Sequence, residues 1–226
     1  MNPSRPADTA LPAAPVVHVF ARWWAEGPVK TRLAAELGQE AAREVYRRLA
    51  EHCWRAVAGA GWQRWLWVEP GDRATEAGGW LSGADRVLAQ PAGDLGARML
   101  HAFEAAAAAA APWSAVVGTD APELGAKQVA AAAAALVPGA GPGGEPPADL
   151  ALVPTLDGGY ALLAARAPHP ELFRGIPWST SEVAAATHRA AAAAGLGVRT
   201  LSPTFDIDRA EDWKRWSRKA ISGNGR

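Results

Sequence analysis

At 226 residues the chain is long enough for one α/β domain with a core that needs no covalent staples. Lys plus Arg and Asp plus Glu balance at 23 each, so no general field draws the chain to nucleic acid or to an anionic membrane surface. A single cysteine, Cys53, excludes an intramolecular disulfide framework. No His/Cys grouping has zinc-ligand spacing, and no segment is apolar for long enough to span a bilayer.

Met1 to Ala14 is rich in Pro and Ala and lacks a charged start followed by an apolar h-region, so a loose tail on a cytoplasmic protein is expected. Val16 to Ala21 reads as a first buried strand, followed by a loop from Trp23 to Leu33. Beyond Gly38, the i+4 recurrence of Ala41, Val45, Leu49, Cys53 and Val57 marks the apolar stripe of a helix, with Cys53 as core filler. A second strand fits Arg64 to Val68, where Trp65 and Trp67 share a face and belong to sheet packing. Pro70-Gly71-Asp72 ends it as a turn. A short strand over Arg86 to Gln90 leads to Asp94, a candidate cap for the helix carrying Leu95, Met99 and Phe103.

Ala115-Val116-Val117-Gly118-Thr119-Asp120-Ala121-Pro122 is an apolar run that stops at one carboxylate and a turn. A buried parallel strand delivers an acid in this way to the carboxyl edge of a sheet, where ligands of open α/β sheets bind; the alternative is a plain turn cap. An Ala-rich helix to Leu136 and an exposed Gly/Pro loop over Val137 to Pro147 precede a strand at Leu150 to Pro154, and Leu162-Leu163 continue in extended form. Ser179 or Thr180 can cap a helix running to about Ala194. After a strand near Val198 to Leu201, Asp208 with Glu211 can cap a last helix to about Ala220. Strands alternating with helices predict a mainly parallel, layered α/β sheet.

Two sets of residues could carry chemistry. Lys30 and Arg32 lie between the first strand and the first helix, where cations and backbone N–H groups can cradle phosphate, although neither a P-loop nor Gly-x-Gly-x-x-Gly is present. Asp120, Asp157, Asp206 and Asp208 follow or interrupt apolar segments and could converge on one edge. A pair of them would hold Mg2+ or Mn2+ through hard oxygen ligands. Taken singly, Asp157 reads better as an Asp-Gly-Gly turn and Asp206 and Asp208 as helix caps, and it is their conjunction with the cationic loop that favours the metal.

The order of six motifs resembles the bacterial glycosyltransferase-A-like family of uncharacterised nucleotide-diphospho-sugar transferases, one branch of which is linked to arsenosugar biosynthesis. They are Gly27-x-Val29-Lys30-Thr31-Arg32-Leu33, Gly93-Asp94-Leu95-Gly96-x-Arg98-Met99, Gly118-Thr119-Asp120-x-Pro122, Asp157-Gly158-Gly159-Tyr160, Trp178-Ser179-Thr180 and Asp206-Ile207-Asp208. The resemblance implies one three-layer α/β/α domain of the GT-A type over residues 15–220. Arg22, Gly27, Lys30, Arg32, Asp94 and Arg98 would then meet the nucleotide, and Asp120 with Asp208 or Asp206 would hold the metal. Gly158, Gly159, Tyr160, Trp178, Ser179 and Thr180 would face a small-molecule acceptor, with Asp157 as a possible acceptor-side base. It implies transfer of a glycosyl group from a nucleotide sugar. Nucleotidyl transfer from a nucleoside triphosphate and non-catalytic nucleotide binding are the alternatives. The chain departs from the family's pattern at Arg22-Trp23-Trp24, Ala121, Ala164 and Arg209, where Arg209 is placed to compete with the metal for Asp208.

Overall fold

The protein is described here by a computed structural model covering residues 13–138 and 146–223. Most of the tail expected over Met1 to Ala14, and residues 139–145 of the expected Gly/Pro loop, lie outside the described residues.

Seven strands form one sheet: β1 (Val16–Arg22), β2 (Gln63–Glu69), β3 (Arg86–Ala89), β4 (Ser114–Val117), β5 (Leu150–Pro154), β6 (Tyr160–Ala165) and β7 (Val198–Thr200). Their order is β3-β2-β1-β4-β6-β5-β7. Among the described residues there are seven α-helices, of which six are α1 (Thr31–Leu37), α2 (Gln39–Ala56), α3 (Ala74–Trp80), α4 (Leu95–Ala108), α5 (Ala126–Leu136) and α6 (Val183–Ala193). The seventh is α7 (Ala210–Gly223). None is long and apolar enough to cross a membrane.

The central strands are buried on both faces, as their unbroken apolar runs require. On one face Val17, Val19, Leu66, Val117 and Val153 pack under Trp54 of α2, Ala77 of α3 and Val129 and Leu136 of α5. On the other, Val16, Trp65, Trp67, Val116 and Leu163 pack under Met99 and Phe103 of α4 and Ala191 of α6. The result is the expected three-layer α/β/α architecture, with Trp65 and Trp67 in the core. Cys53 is buried there too, and burial pushes its thiol far above the ordinary range, as befits core filler.

Four elements differ from the sequence reading. β6 runs antiparallel to both β4 and β5, so Thr155 to Gly159 is a tight return that delivers the start of β6 to the same edge as the end of β5. The Pro70-Gly71-Asp72 turn continues into α3, whose Gly78 lets the helix approach Val87 of β3. The end of the expected loop, Thr31 to Leu33, opens α1, which is divided from α2 by Gly38 at φ +86°. α6 begins at Val183 because Thr180 is occupied in a local turn: its hydroxyl donates to Pro177 O (2.7 Å) and accepts from Glu182 N (3.2 Å).

Candidate functional site

β1 leads into β2 and β3 on one side of the sheet and has β4 on the other, so the strand order reverses between β1 and β4. Ligands of open α/β sheets bind outside the carboxyl ends at such a point. Here it opens as a cleft of about 730 Å3. The loop after β1 carries Lys30, the turn after β4 carries Asp120, and the return after β5 carries Asp157. A strap from Pro203 to Asp208 closes the arrangement. Thr204 N donates to Pro154 O (2.9 Å), and Ile207 N, in the middle of Asp206-Ile207-Asp208, donates to Asp120 O (2.9 Å). Ile207 is fully buried beside Leu49 and Cys53, which fixes the flanking acids on the cleft side.

At the centre the Lys30 ammonium donates to Asp120 Oδ2 (3.2 Å) and to Asp208 Oδ1 (3.0 Å), while Arg32 Nη1 donates to Asp208 Oδ2 (2.9 Å). Lys30 sits in the left-handed region at φ +46°, unusual for a residue with a side chain, and its own side chain is 9% exposed. Burial works against its charge, but the two carboxylates outweigh burial and raise its pKa. Asp208 is likewise desolvated, yet Lys30 and Arg32 hold it below the usual carboxylate range. Asp206 goes the other way. Partial burial, then the negative charges of Asp120, Asp157 and Asp208, push it up to about 6, and no ion pair to it is found among the described residues.

Around this centre, Tyr46 of α2 reaches the switch point. Its hydroxyl accepts from Arg22 N (2.8 Å) and lies 3.3 Å from the Thr119 hydroxyl. Arg22 Nη2 pairs with Glu69 at the end of β2 (2.8 Å), which also holds Arg98 of α4 (3.1 Å). Across the cleft, Asp157 Oδ1 accepts from the Thr155 hydroxyl (2.5 Å) and Gly159 N (3.1 Å). Gly158 O accepts from Ala184 N (2.9 Å), so the β5–β6 return is docked on the start of α6 beside Trp178.

Comparison with known proteins places this geometry. The model of a family described as "Uncharacterized protein conserved in bacteria (DUF2064)" matches residues 51–180, more than half of the chain. The chain belongs to that family. A crystal structure from Desulfovibrio desulfuricans G20, named as a candidate nucleotide-diphospho-sugar transferase, superposes with a TM-score of 0.79 at 26% identity. That match covers 91% of this chain and 87% of that one. CMP:2-keto-3-deoxy-manno-octonic acid synthetase complexed with CTP (TM-score 0.53, 12% identity, 93% of this chain and 99% of that one) shares the fold. So does HddC from Yersinia pseudotuberculosis (0.52, 11%, 90% and 98%). No curated protein matches the sequence. The fold is that of the nucleotide-diphospho-sugar transferases. The matched family segment holds Asp94, Arg98, Asp120, Asp157 and Trp178, whereas Lys30, Arg32, Asp206 and Asp208 lie outside it.

In this member of the family the cleft is lined by Arg22, Lys30, Arg32, Asp120, Asp157, Gly159, Tyr160, Trp178, Ser179, Thr180, Asp206 and Asp208, all singled out from sequence. Four others do not line it. Asp94 accepts from Ala97 N (2.8 Å) and caps α4, the structural role also open to it. Arg98 buttresses Glu69, and Gly27 at φ +69° turns the loop after β1. Gly158 faces the Ser181 backbone. Asp208 is not the cap of α7: Asp212 Oδ2 accepts from Asp208 N (3.2 Å) and Arg209 N (2.8 Å), leaving the Asp208 carboxylate to the two cations. Arg209 pairs with Glu36 (3.0 Å) and does not compete for Asp208. Tyr46 and Thr155 line the cleft and were not singled out; Tyr46 is adjacent to the apolar stripe of α2, and spacing alone does not say that its hydroxyl reaches the sheet edge.

Among the described residues no three His, Cys, Asp or Glu side chains stand close enough to hold a divalent cation by themselves. Asp206, whose pKa is raised by burial and by the negative charges of Asp120, Asp157 and Asp208, is nonetheless a hard-oxygen donor of the kind that Mg2+ or Mn2+ takes when phosphate oxygens and water complete its coordination. Oxygens of Asp120 and Asp208 are held by Lys30 and Arg32, so a divalent ion at these acids would need phosphate oxygens and water for most of its coordination.

Proposed function

We propose that this chain is a metal-dependent glycosyltransferase that binds a nucleotide-diphospho-sugar with its diphosphate at the β1–β4 switch point. The reading is carried by one observation: Lys30, Arg32, Asp120 and Asp208, 178 residues apart at the extremes, form a single ion-paired cluster in the floor of the cleft.

Charge accounting supports the metal. Three cations and four carboxylates line the cleft, a net charge of −1 when all are ionised, so a diphosphate needs an added cation to enter. Mg2+ or Mn2+ would be held by Asp120 with Asp206 or Asp208, and bound there it supplies neutralisation of the leaving diphosphate. Lys30 and Arg32 hold the remaining phosphate charge, which grows as the glycosidic bond breaks, so their effect falls on turnover more than on ground-state binding.

The distribution of charge favours an uncharged acceptor. The three cations come from the end of β1, the residue before α1 and the first turn of α1, whereas the far wall offers Tyr160, Trp178, hydroxyls from Ser179 and Thr180, and Asp157. A phosphorylated acceptor would meet a carboxylate there and no counter-charge. A hydroxyl-bearing acceptor can lay an apolar face on the aromatic rings and present its hydroxyl towards Asp157. Nucleotidyl transfer is the second reading, since a fold neighbour binds CTP and the same cations and acids could serve a triphosphate.

Thermal unfolding against nucleotide sugars and nucleoside triphosphates, each with Mn2+, Mg2+ or chelator, tests the reading. The expected result is stabilisation by a nucleotide sugar that requires metal and is lost in Asp120→Asn, with nucleoside diphosphate released in the presence of acceptor. Release of pyrophosphate from a triphosphate would move the assignment to nucleotidyl transfer. Metal-independent stabilisation, unchanged in Asp120→Asn, would defeat the metal-dependent reading altogether.

A further inference from the structure

The place that a divalent ion shared by Asp120 and Asp208 would take is already filled. The Lys30 ammonium lies 3.2 Å from one carboxylate and 3.0 Å from the other. A divalent ion bridging the same oxygens would stand about 2.0–2.6 Å from each, too close to that ammonium for both to be present. We propose that Lys30 is an internal stand-in cation that bars a bare divalent ion from the Asp120–Asp208 pair, so that metal enters together with a diphosphate. The inference rests on the metal-dependent reading above and adds an order of assembly to it.

Three observations carry it. The ammonium is trapped: its side chain is 9% exposed, whereas that of Arg32 beside it is 62% exposed, so Arg32 can leave Asp208 for solvent and Lys30 cannot. Its backbone is fixed in a left-handed conformation at the start of α1, and its side chain caps nothing there, so its polar partners are the two acids. An ion arriving alone would strip those partners from a buried ammonium and set a double positive charge beside it, which is unfavourable for a side chain that cannot turn to solvent instead. A diphosphate changes this, because its oxygens give the Lys30 ammonium new acceptors as the carboxylates turn to the ion.

Mn2+ titration followed by electron paramagnetic resonance, on the whole chain and without nucleotide, measures the barrier directly. Lys30→Met, which keeps most of the aliphatic side chain and removes the charge, is expected to bind Mn2+ alone about tenfold or more tightly than the parent. Arg32→Met also removes a charge near Asp208 but leaves the Lys30 ammonium in place, and is expected to gain much less. Each variant is first shown to be folded by circular dichroism, with Lys30→Gln substituting should Lys30→Met fail to fold. In the parent, the free-Mn2+ signal should fall little with the ion alone and fall clearly once a nucleoside diphosphate is added, by more than the nucleotide lowers it without protein. Equal affinity for Mn2+ alone in parent and Lys30→Met, or an equal gain in Arg32→Met, overturns the stand-in role while leaving the metal-dependent reading intact. No Mn2+ bound by any variant, with or without nucleotide, overturns both.

Discussion

Within the cluster, the strap's two acids respond to opposite forces. Asp206, at about 6, binds its proton more strongly in the folded chain than in the unfolded one, where a carboxylate of this kind titrates near 3.8. Its contribution is therefore fully present below about pH 4 and is lost as pH rises through about 6. Asp208 has its pKa lowered by Lys30 and Arg32, against burial, so its contribution is present above the unfolded value and lost on acidification. Without ligand, the parent should thus lose stability relative to Asp206→Asn as pH is raised from 4 to 7.5, which denaturant melts at several pH values would show. Parallel pH profiles for the two proteins would mean that Asp206 is not the strained acid. The same repulsion is relieved by a bound cation, so metal-dependent stabilisation by nucleotide should strengthen over this range.

Among the elements, the return from β5 to β6 and the cap of α4 separate fold from function. Gly158 holds φ +92°, and a Cβ there would run into the backbone of Ser181. Gly158→Ala should cost about 2–4 kcal/mol and loosen the docking of the return on α6, so the loss should appear both in unfolding and in acceptor KM. Asp94→Ala removes the α4 cap at a cost of about 1 kcal/mol, with nucleotide-induced stabilisation unchanged. Loss of nucleotide binding there would restore the nucleotide-pocket role that the resemblance implied. Both cases show what the sequence made legible. Val-rich β1 and β4 and the i+4 stripe of α2 were evident because burial on both sides, or along one stripe, leaves a period in the chain. The direction of β6 was not, because the run Ala161 to Ala165 reads the same whichever way its neighbours point. α3 was hidden by Gly78-Gly79, poor helix formers tolerated because Ala77 and Leu81 are buried on the sheet. Of the candidate site, the acids and cations were visible as residues at strand ends. Which carboxylate caps a helix and which faces the cleft depended on Asp212 taking over the backbone N–H groups of Asp208 and Arg209, a tertiary choice that no spacing records.

For the whole molecule, the cluster exists only when the two ends of the described chain are brought together. Lys30 follows β1, while Asp208 precedes α7, whose Trp213 and Trp216 pack beside Leu49, Cys53 and Ile207. The strap is fastened at one point by Ile207, buried to 0% exposure and donating its N–H to Asp120 O. Ile207→Ala should cost about 2–5 kcal/mol through the cavity it leaves. That cost alone would not distinguish a functional strap from ordinary core. Leu136→Ala provides the contrast, because Leu136 is equally buried but ends α5, far along the chain from the strap and absent from the cleft lining. Both substitutions should lower the denaturation midpoint by similar amounts, yet the further rise on adding nucleotide and metal should survive in Leu136→Ala and shrink in Ile207→Ala, as Asp206 and Asp208 lose their fixed spacing from Asp120. If the ligand-induced rise is retained equally in both, the buried side chain of Ile207 does not set the geometry of the acids.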